Sequence, residues 1–352
     1  MTSDKATEPM DQGTVGTKAT EQAARTAARR LSAQNIGLLL AIALFVAVIA
    51  VYLALYGARQ GALPGGFELT STVNNATPLI FAALGQAFVV LTGGLDLSVG
   101  GLMDLTNSIA ATQMHEGAGS IALWSVLILL IGAATGLVNG VLVAYGRLQP
   151  ILVTLGTLAI LQGLALKVLP QPGGMVPAGL THLVAHPDRP YGLVVVALAG
   201  LIWFVVRRTP LGVSAYAIGN DRQAARAGGI RVQRMTVLIY VTSGVLVAAG
   251  GLLLAASTTG GDATSGDVFT LTSIAAVVIG GLSLFGGRGS GVGAIIGAFV
   301  LTVLINVLFF AHIDPLYEPL AEGLFLILAA ALTALLGILL RRFLRTTRGI
   351  GR

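Results

Sequence analysis

About ten apolar runs, most of them near the ~20 residues that a helix needs to cross a bilayer core, follow one another between residues 36 and 340. Few architectures accommodate them. Inside hydrocarbon every backbone N–H and C=O needs a partner within the chain, so such runs fold as helices rather than open sheet. The scarcity of charge agrees: 10% of the 352 residues are charged and 55% are hydrophobic, against about 25% charged in a soluble domain. The expected fold is therefore all-α, a polytopic integral membrane protein of about ten transmembrane helices. The runs place spans at Ile36–Tyr56, Pro78–Leu91, Leu97–Met114, Ile121–Tyr145, Ile151–Leu169, Tyr191–Val206, Met235–Ala256, Phe269–Leu282, Gly291–Ala311 and Pro319–Leu340. The second and eighth are short and run into glycine-rich segments, so the helices near 92–100 and 280–290 are expected to be short or broken. One membrane domain, 34–341, then lies between a polar tail, 1–33, and a basic tail, 342–352.

The formal net charge of +6 does not point to nucleic acid, because the basic residues sit in the connections between apolar runs and not on one patch with readout residues. It reads as a topology signal. With the amino terminus inside, eighteen of the 21 Lys and Arg fall in inner segments: the first tail, Arg147, the loop 207–234, Arg288 and the last tail. Arg59 and Arg189 fall outside, and Lys167 lies near the outer end of the fifth span. Both termini are expected to be cytoplasmic, in a multi-pass protein of a bacterial cytoplasmic (inner) membrane.

Chemistry within the chain is constrained by what is missing. The sequence has no cysteine, which excludes disulfides, thiolate metal sites and cysteine nucleophiles. It lacks a Gly-x4-Gly-Lys-Ser/Thr phosphate loop, a Gly-x-Ser-x-Gly elbow and a His-Glu-x-x-His zinc helix. No catalytic residue, cofactor or metal site is expected. Small residues at four-residue spacing, Gly132, Gly136 and Gly140 and again Gly293 and Gly297, let helix backbones approach closely, within one chain or between subunits. Gly93-Gly94-Leu95 and Gly280-Gly281-Leu282 could mark corresponding positions of two halves.

Two segments carry functional expectations. The first is Leu91-Thr92-Gly93-Gly94-Leu95-Asp96-Leu97-Ser98-Val99-Gly100. A carboxylate among apolar residues is costly unless paired or hydrated. Asp96 could cap the helix that follows it, line or gate a translocation path, or couple transport to an ion. Asp104 would share its helix face two turns later, with Asn107 one turn beyond. Asp96, Ser98, Asp104, Asn107, Asn74, Gln86 and Thr154 are the candidates for the path or its gate. The uncharged polar residues within spans, Asn74, Asn75, Thr77, Gln86, Asn107, Gln113, Asn139, Thr154, Thr157, Gln162 and Asn306, suit a neutral polyhydroxyl solute and could equally bond helix to helix. The second segment is the loop 207–234. Asn220 or Asp221 is a good N-cap, the following residues tolerate helix, and Gly228-Gly229 is a stop. A two-turn helix outside the membrane follows. Positive-inside charge alone does not need a capped helix, so it reads as a docking element for a cytoplasmic partner, or else as a basic helix on anionic lipid.

With these residues in view, the chain resembles the permease subunits of ABC importers for ribose, xylose, arabinose, galactose and related monosaccharides, in the wider branched-chain amino acid and sugar permease superfamily. Four segments carry the likeness: Thr92–Gly100; Gly146-Arg147-Leu148-Gln149-Pro150 through Thr157; Tyr216–Asn220 continuing through Ala224–Ile230; and Ile274–Gly281 continuing through Leu284–Ser290. It covers residues from about 36 to 340. The Asp96-Leu97-Ser98-Val99-Gly100 stretch is similar to the sugar branch. The resemblance implies alternating access driven by a separate cytoplasmic ABC ATPase, with a second permease copy or a sister permease alongside, and an extracytoplasmic sugar-binding protein that delivers substrate. It also implies that Asn220, Asp221, Arg222, Gln223, Ala224, Ala225, Arg226, Gly228 and Gly229 form the ATPase-coupling helix. The turn Gly286–Ser290 would be a second element near that partner. The competing reading from another class is an ion-coupled secondary transporter using Asp96 and Asp104.

Overall fold

The structure is a computed structural model that describes residues 37–186 and 189–317 and, beyond these, 320–321, 323–325, 327–328 and 331. The two tails, and most of the expected last span Pro319–Leu340, lie outside the described residues. Long helices form where the apolar runs demand them: α1 (Gly37–Gln60), α2 (Gly66–Leu91), α3 (Val99–Gln113), α4 (Ala118–Ala144), α5 (Pro150–Val168), α6 (Ala178–Val184), α7 (Tyr191–Val206), α8 (Pro210–Asn220), α9 (Arg222–Ala227), α10 (Val232–Thr258), α11 (Asp267–Ile279) and α12 (Gly291–Phe310). Six are long and apolar enough to cross a membrane, or seven if α7 and α8, bent by 72°, count as one broken span. The expected ten is not reached among the described residues. At 15 and 13 residues, α3 and α11 are too short to span alone.

The second span corrects the sequence reading. It is not short: α2 runs 26 residues, about 39 Å at 1.5 Å per residue. Asn74, Asn75, Thr77 and Pro78 dilute its apolar run without ending the helix. Pro78 has no N–H to give the Asn74 carbonyl, and the Thr77 hydroxyl donates to that carbonyl instead, at 2.8 Å. A side chain thus satisfies the backbone group that proline frees, as membrane helices permit.

Burial sorts the helices. α2 is the axis, with α10 and α12 against it and α10 also packed on α4 and α3. α1, α4, α5 and α7 turn leucines, valines and isoleucines outward. α3 is buried along nearly its whole length, from Val99 to Ala111, which is how it carries Asp104, Thr106, Asn107 and Ser108 at such depth. The glycine series packs within the chain: Gly132, Gly136 and Gly140 lie on the α10 backbone, and Gly293 and Gly297 lie on α11.

α2 and α11 end in the same way. After α2, Gly93 takes φ +79°, its N–H donates to Val90 O (2.9 Å), and the Gly94 N–H donates to Val89 O (3.2 Å). After α11, Gly281 also takes φ +79°, its N–H donates to Val278 O (2.9 Å), and the Leu282 N–H donates to Val277 O (3.1 Å). Both are Schellman motifs, which need a residue that tolerates the left-handed conformation. The expected breaks near 92–100 and 280–290 are these stops and the non-helical stretches after them.

Candidate functional site

At the end of the bundle that carries the arginines, α9 forms because Asp221 caps it. Its Oδ1 accepts the N–H groups of Gln223 (2.7 Å) and Ala224 (3.0 Å), two donors that no helical carbonyl could take. Gly228 and Gly229, the latter at φ +84°, stop the helix, and the Ile230 N–H returns to Ala225 O at 3.0 Å. Ala225 alone faces inward, onto Ile218 and Val232. Asn220, Asp221, Arg222, Gln223, Ala224, Arg226, Gly228 and Gly229 are all exposed. A six-residue helix has little stability of its own, so this ledge holds its shape through one cap and one small apolar anchor. Asp221→Ala is expected to cost about 1 kcal/mol of local stability. Hydrogen exchange at the Gln223 and Ala224 amides should then speed up while α10 is unaffected.

The ledge is joined to the interior by backbone. Gly219, in the last turn of α8, lies so close to Leu91 O and Gly287 N that a Cβ there would overlap both. The Gly287 N–H donates to Leu91 O (2.9 Å), and the Tyr216 hydroxyl donates to Gly289 O (2.7 Å). A Cβ on Gly286 would fall 2.7 Å from Gly93 N and 3.0 Å from Gly219 Cα. The stop of α2, the end of α8 and the turn after α11 therefore form one joint with no side chains between them. Beside it project exposed Leu284, Phe285 and Arg288.

The buried polar residues fall into separate groups rather than one stripe. Asp96 precedes α3, so the face shared with Asp104 that helical counting predicts is not formed. Its Oδ1 accepts from the Ser98 N–H (2.9 Å) and the Ser98 hydroxyl (2.5 Å). Asn139 Nδ2 on α4 donates to Ser98 Oγ (3.0 Å), and the Thr157 hydroxyl on α5 donates to Asn139 Oδ1 (2.6 Å). The Leu97 N–H donates to Thr154 Oγ1 (3.0 Å). This chain of bonds ties the non-helical stretch to two neighbouring helices. Asn139 and Thr157, uncharged polar residues within their apolar runs, complete it by bonding helix to helix.

The second group looks to the segment before α11. Asp104 Oδ1 accepts the Gly266 N–H (2.5 Å), Asn107 Oδ1 accepts the Asp262 N–H (2.9 Å), and the Gly100 N–H donates to Thr270 Oγ1 (3.1 Å). Elsewhere Asn74 Nδ2 donates to His186 O (3.1 Å). Gln86 is wholly buried on α2, with neither side-chain polar atom partnered among the described residues. No group of three His, Asp or Glu among the described residues could hold a metal ion. Seven candidates thus divide between a network at the α2–α3 break, a clamp on the start of α11, and two sites on α2.

The comparisons bear on this geometry. The family described as branched-chain amino acid transport system / permease component matches residues 69–335. The ribose import permease protein RbsC of Haemophilus influenzae is 33% identical over 265 residues, 72% of this chain and 81% of that protein. The fructose import permease protein FrcC of Rhizobium meliloti is 34% identical over 280 residues, 76% of this chain and 77% of that protein. The galactose/methyl galactoside import permease protein MglC of Haemophilus influenzae is 29% identical over 290 residues, 76% of this chain and 86% of that protein. No solved structure matches the chain.

Proposed function

This chain belongs to the branched-chain amino acid transport system / permease component family, and from that premise we propose that it translocates a monosaccharide or related small polyol into the cytoplasm as the permease subunit of an ABC importer. It is a transport subunit and not an enzyme. The observation that carries the reading is the capped, exposed α9, seated on a backbone joint with the ends of α2 and α11. A partner that pushes on α9 would move Gly219, and with it the turn that leads to Asp96. In this reading the arginine-bearing end is cytoplasmic, and residues Asn220–Gly229 receive the closure of an ABC ATPase. A second permease copy or sister chain completes the membrane part, lipid surrounds it, and an extracytoplasmic sugar-binding protein delivers substrate.

The interior fits a neutral solute. Its buried candidates are mostly amides and hydroxyls, and the Asp96 and Asp104 carboxylates each take up N–H groups of the chain. Ser98, Thr154 and Asp96 would act at the gate, where the α2–α3 break meets α4 and α5. Asn107 and Asp104 would act where α3 meets α11, and Asn74 and Gln86 along α2. Energy enters from the ATPase, so none of these residues needs to bind a coupling ion.

The test is uptake of labelled ribose, fructose and galactose by proteoliposomes that contain the permease with its ATPase and binding protein. Uptake should require ATP and survive collapse of the proton and sodium gradients. Uptake that persists without ATP and disappears with a gradient would establish the secondary transporter built on Asp96 and Asp104.

A further inference from the structure

One polar group is in the wrong place for a lipid-facing surface. On the outer side of the bundle Gln162 of α5 donates through Nε2 to Asp267 Oδ1 at the start of α11. Asp267 is exposed and Gln162 half-buried, amid Ile160, Leu164, Val268 and Leu271, which are all exposed. Their depth follows from helix length. Asp267 is the far end of a 13-residue helix whose other end lies beside the joint, about 20 Å away. Gln162 is twelve residues along α5 from Pro150, about 18 Å. Both distances are shorter than the thickness of a hydrocarbon core, about 30 Å. A carboxylate exposed at that depth faces water or protein, not acyl chains.

Nearby on α3 are buried polar atoms without a hydrogen-bond partner among the described residues. Asp104, wholly buried, accepts the N–H of Gly266, the residue before Asp267, and its Oδ2 has no donor among the described residues. Ser108, one turn further along α3 and also wholly buried, has an Oγ with no partner among the described residues. Buried polar atoms in native proteins are normally satisfied, by protein, water or ligand. The set combines carboxylate acceptors, an amide, and a hydroxyl that can give or take. It matches a neutral molecule that carries several hydroxyl groups, each able to donate to a carboxylate in a charge-assisted bond and to accept from Ser108 or Gln162.

We infer that Asp267 and Gln162, backed by Asp104 and Ser108, form a hydroxyl-binding station for a monosaccharide or small polyol in a water-filled cleft on the α5–α11 face. The inference rests on the sugar-permease reading and adds to it two residues, Gln162 and Asp267, together with the place where solute is held.

The native absence of cysteine provides the experiment. Leu271→Cys, one turn from Asp267 and 72% exposed, becomes the only thiol of this chain, whose labelling is read on the permease band of the transporter in nanodiscs. It is treated with a charged, water-borne thiosulfonate. Leu198→Cys on α7, 50% exposed among apolar neighbours, is the lipid-facing control. The Leu271→Cys thiol should react and the control should not. Ribose, fructose or galactose at about ten times its dissociation constant should slow the reaction about tenfold. Adding Asp267→Asn, which keeps the shape, should remove that protection when each rate with sugar is compared with the same variant's rate without it. A thiol that does not react, protection by none of the three sugars, protection by sodium chloride instead, or protection that survives Asp267→Asn would each overturn the station. The uptake assay is separate: absence of ATP-driven uptake alongside protection would refute the permease reading and leave the station standing.

Discussion

Gly244→Leu is expected to leave almost no folded chain in the membrane. Gly132 and Gly136 of α4 and Gly244 of α10 meet backbone to backbone. A Cβ on Gly244 would overlap the Gly132 carbonyl and come within 3.1 Å of Gly136 N, and Cβ atoms on Gly132 and Gly136 would overlap the Gly244 and Tyr240 carbonyls. Backbone atoms do not rotate away as a side-chain tip can, so the helices would have to part along their length. Membrane helices associate through close packing rather than expulsion of water, which makes separation the main loss. Forcing bulk into such a contact costs about 1–3 kcal/mol, occasionally more, and four leucine carbons facing a helix backbone belong at the upper end. Detergent extraction followed by size-exclusion chromatography reads the result: the monodisperse peak should vanish for Gly244→Leu. It should persist for Gly156→Leu on α5, where a Cβ meets nothing within 4 Å.

Gly219→Val is expected to leave the α9 ledge intact and disconnect it. Valine would push α8 off Leu91 and Gly287, while Asp221, Ala225 and Gly228 stay as they are. The ATPase should still co-purify, and its hydrolysis should continue, but the binding protein should no longer stimulate it. Uptake should fall by about 5- to 150-fold, the range of one lost coupling energy. Gly219→Ala adds the smaller bulk and should give a milder version of the same defect. Equal loss of ATPase co-purification in Gly219→Val would show that the contact is part of the docking surface rather than a link behind it.

How far the sequence revealed all this depends on the range of the interaction. The expected span Tyr191–Val206 is α7 itself, and α1, α4, α5, α10 and α12 begin and end within a few residues of their apolar runs. α9 was legible because a cap and a glycine stop are local signals, and the structure uses Asp221 of the two candidate caps. α8 was hidden inside what reads as a basic loop, although Thr209-Pro210 is a common helix start, with proline at a position that needs no N–H. The repeat noticed in Gly93-Gly94-Leu95 and Gly280-Gly281-Leu282 is displaced by one residue from the structural equivalence. By their hydrogen bonds Gly93 corresponds to Gly281 and Thr92 to Gly280. Letter matching aligned the glycines, whereas the backbone requires only one of them to be left-handed.

The polar sites were the least legible. Asp104 and Gly266 are 162 positions apart, and no spacing rule links them. The same holds for Ser98 with Asn139 and for Gln162 with Asp267. Sequence reasoning singled out Asp96 and Asp104 because charge among apolar residues stands out. It did not single out Asp267, which stands just ahead of an apolar run and becomes the first residue of α11.

The central claim is that α9 receives an ATPase, and site-directed capture tests it most directly. Arg226→Cys, the only thiol in the chain, carries a photo-crosslinker in native membranes, and the captured species are identified by mass spectrometry. The account predicts a protein with a Gly-x4-Gly-Lys-Ser/Thr phosphate loop, captured equally from Gln223→Cys. Capture of lipid alone, at Arg226, Gln223 and Asn220 alike, would contradict it.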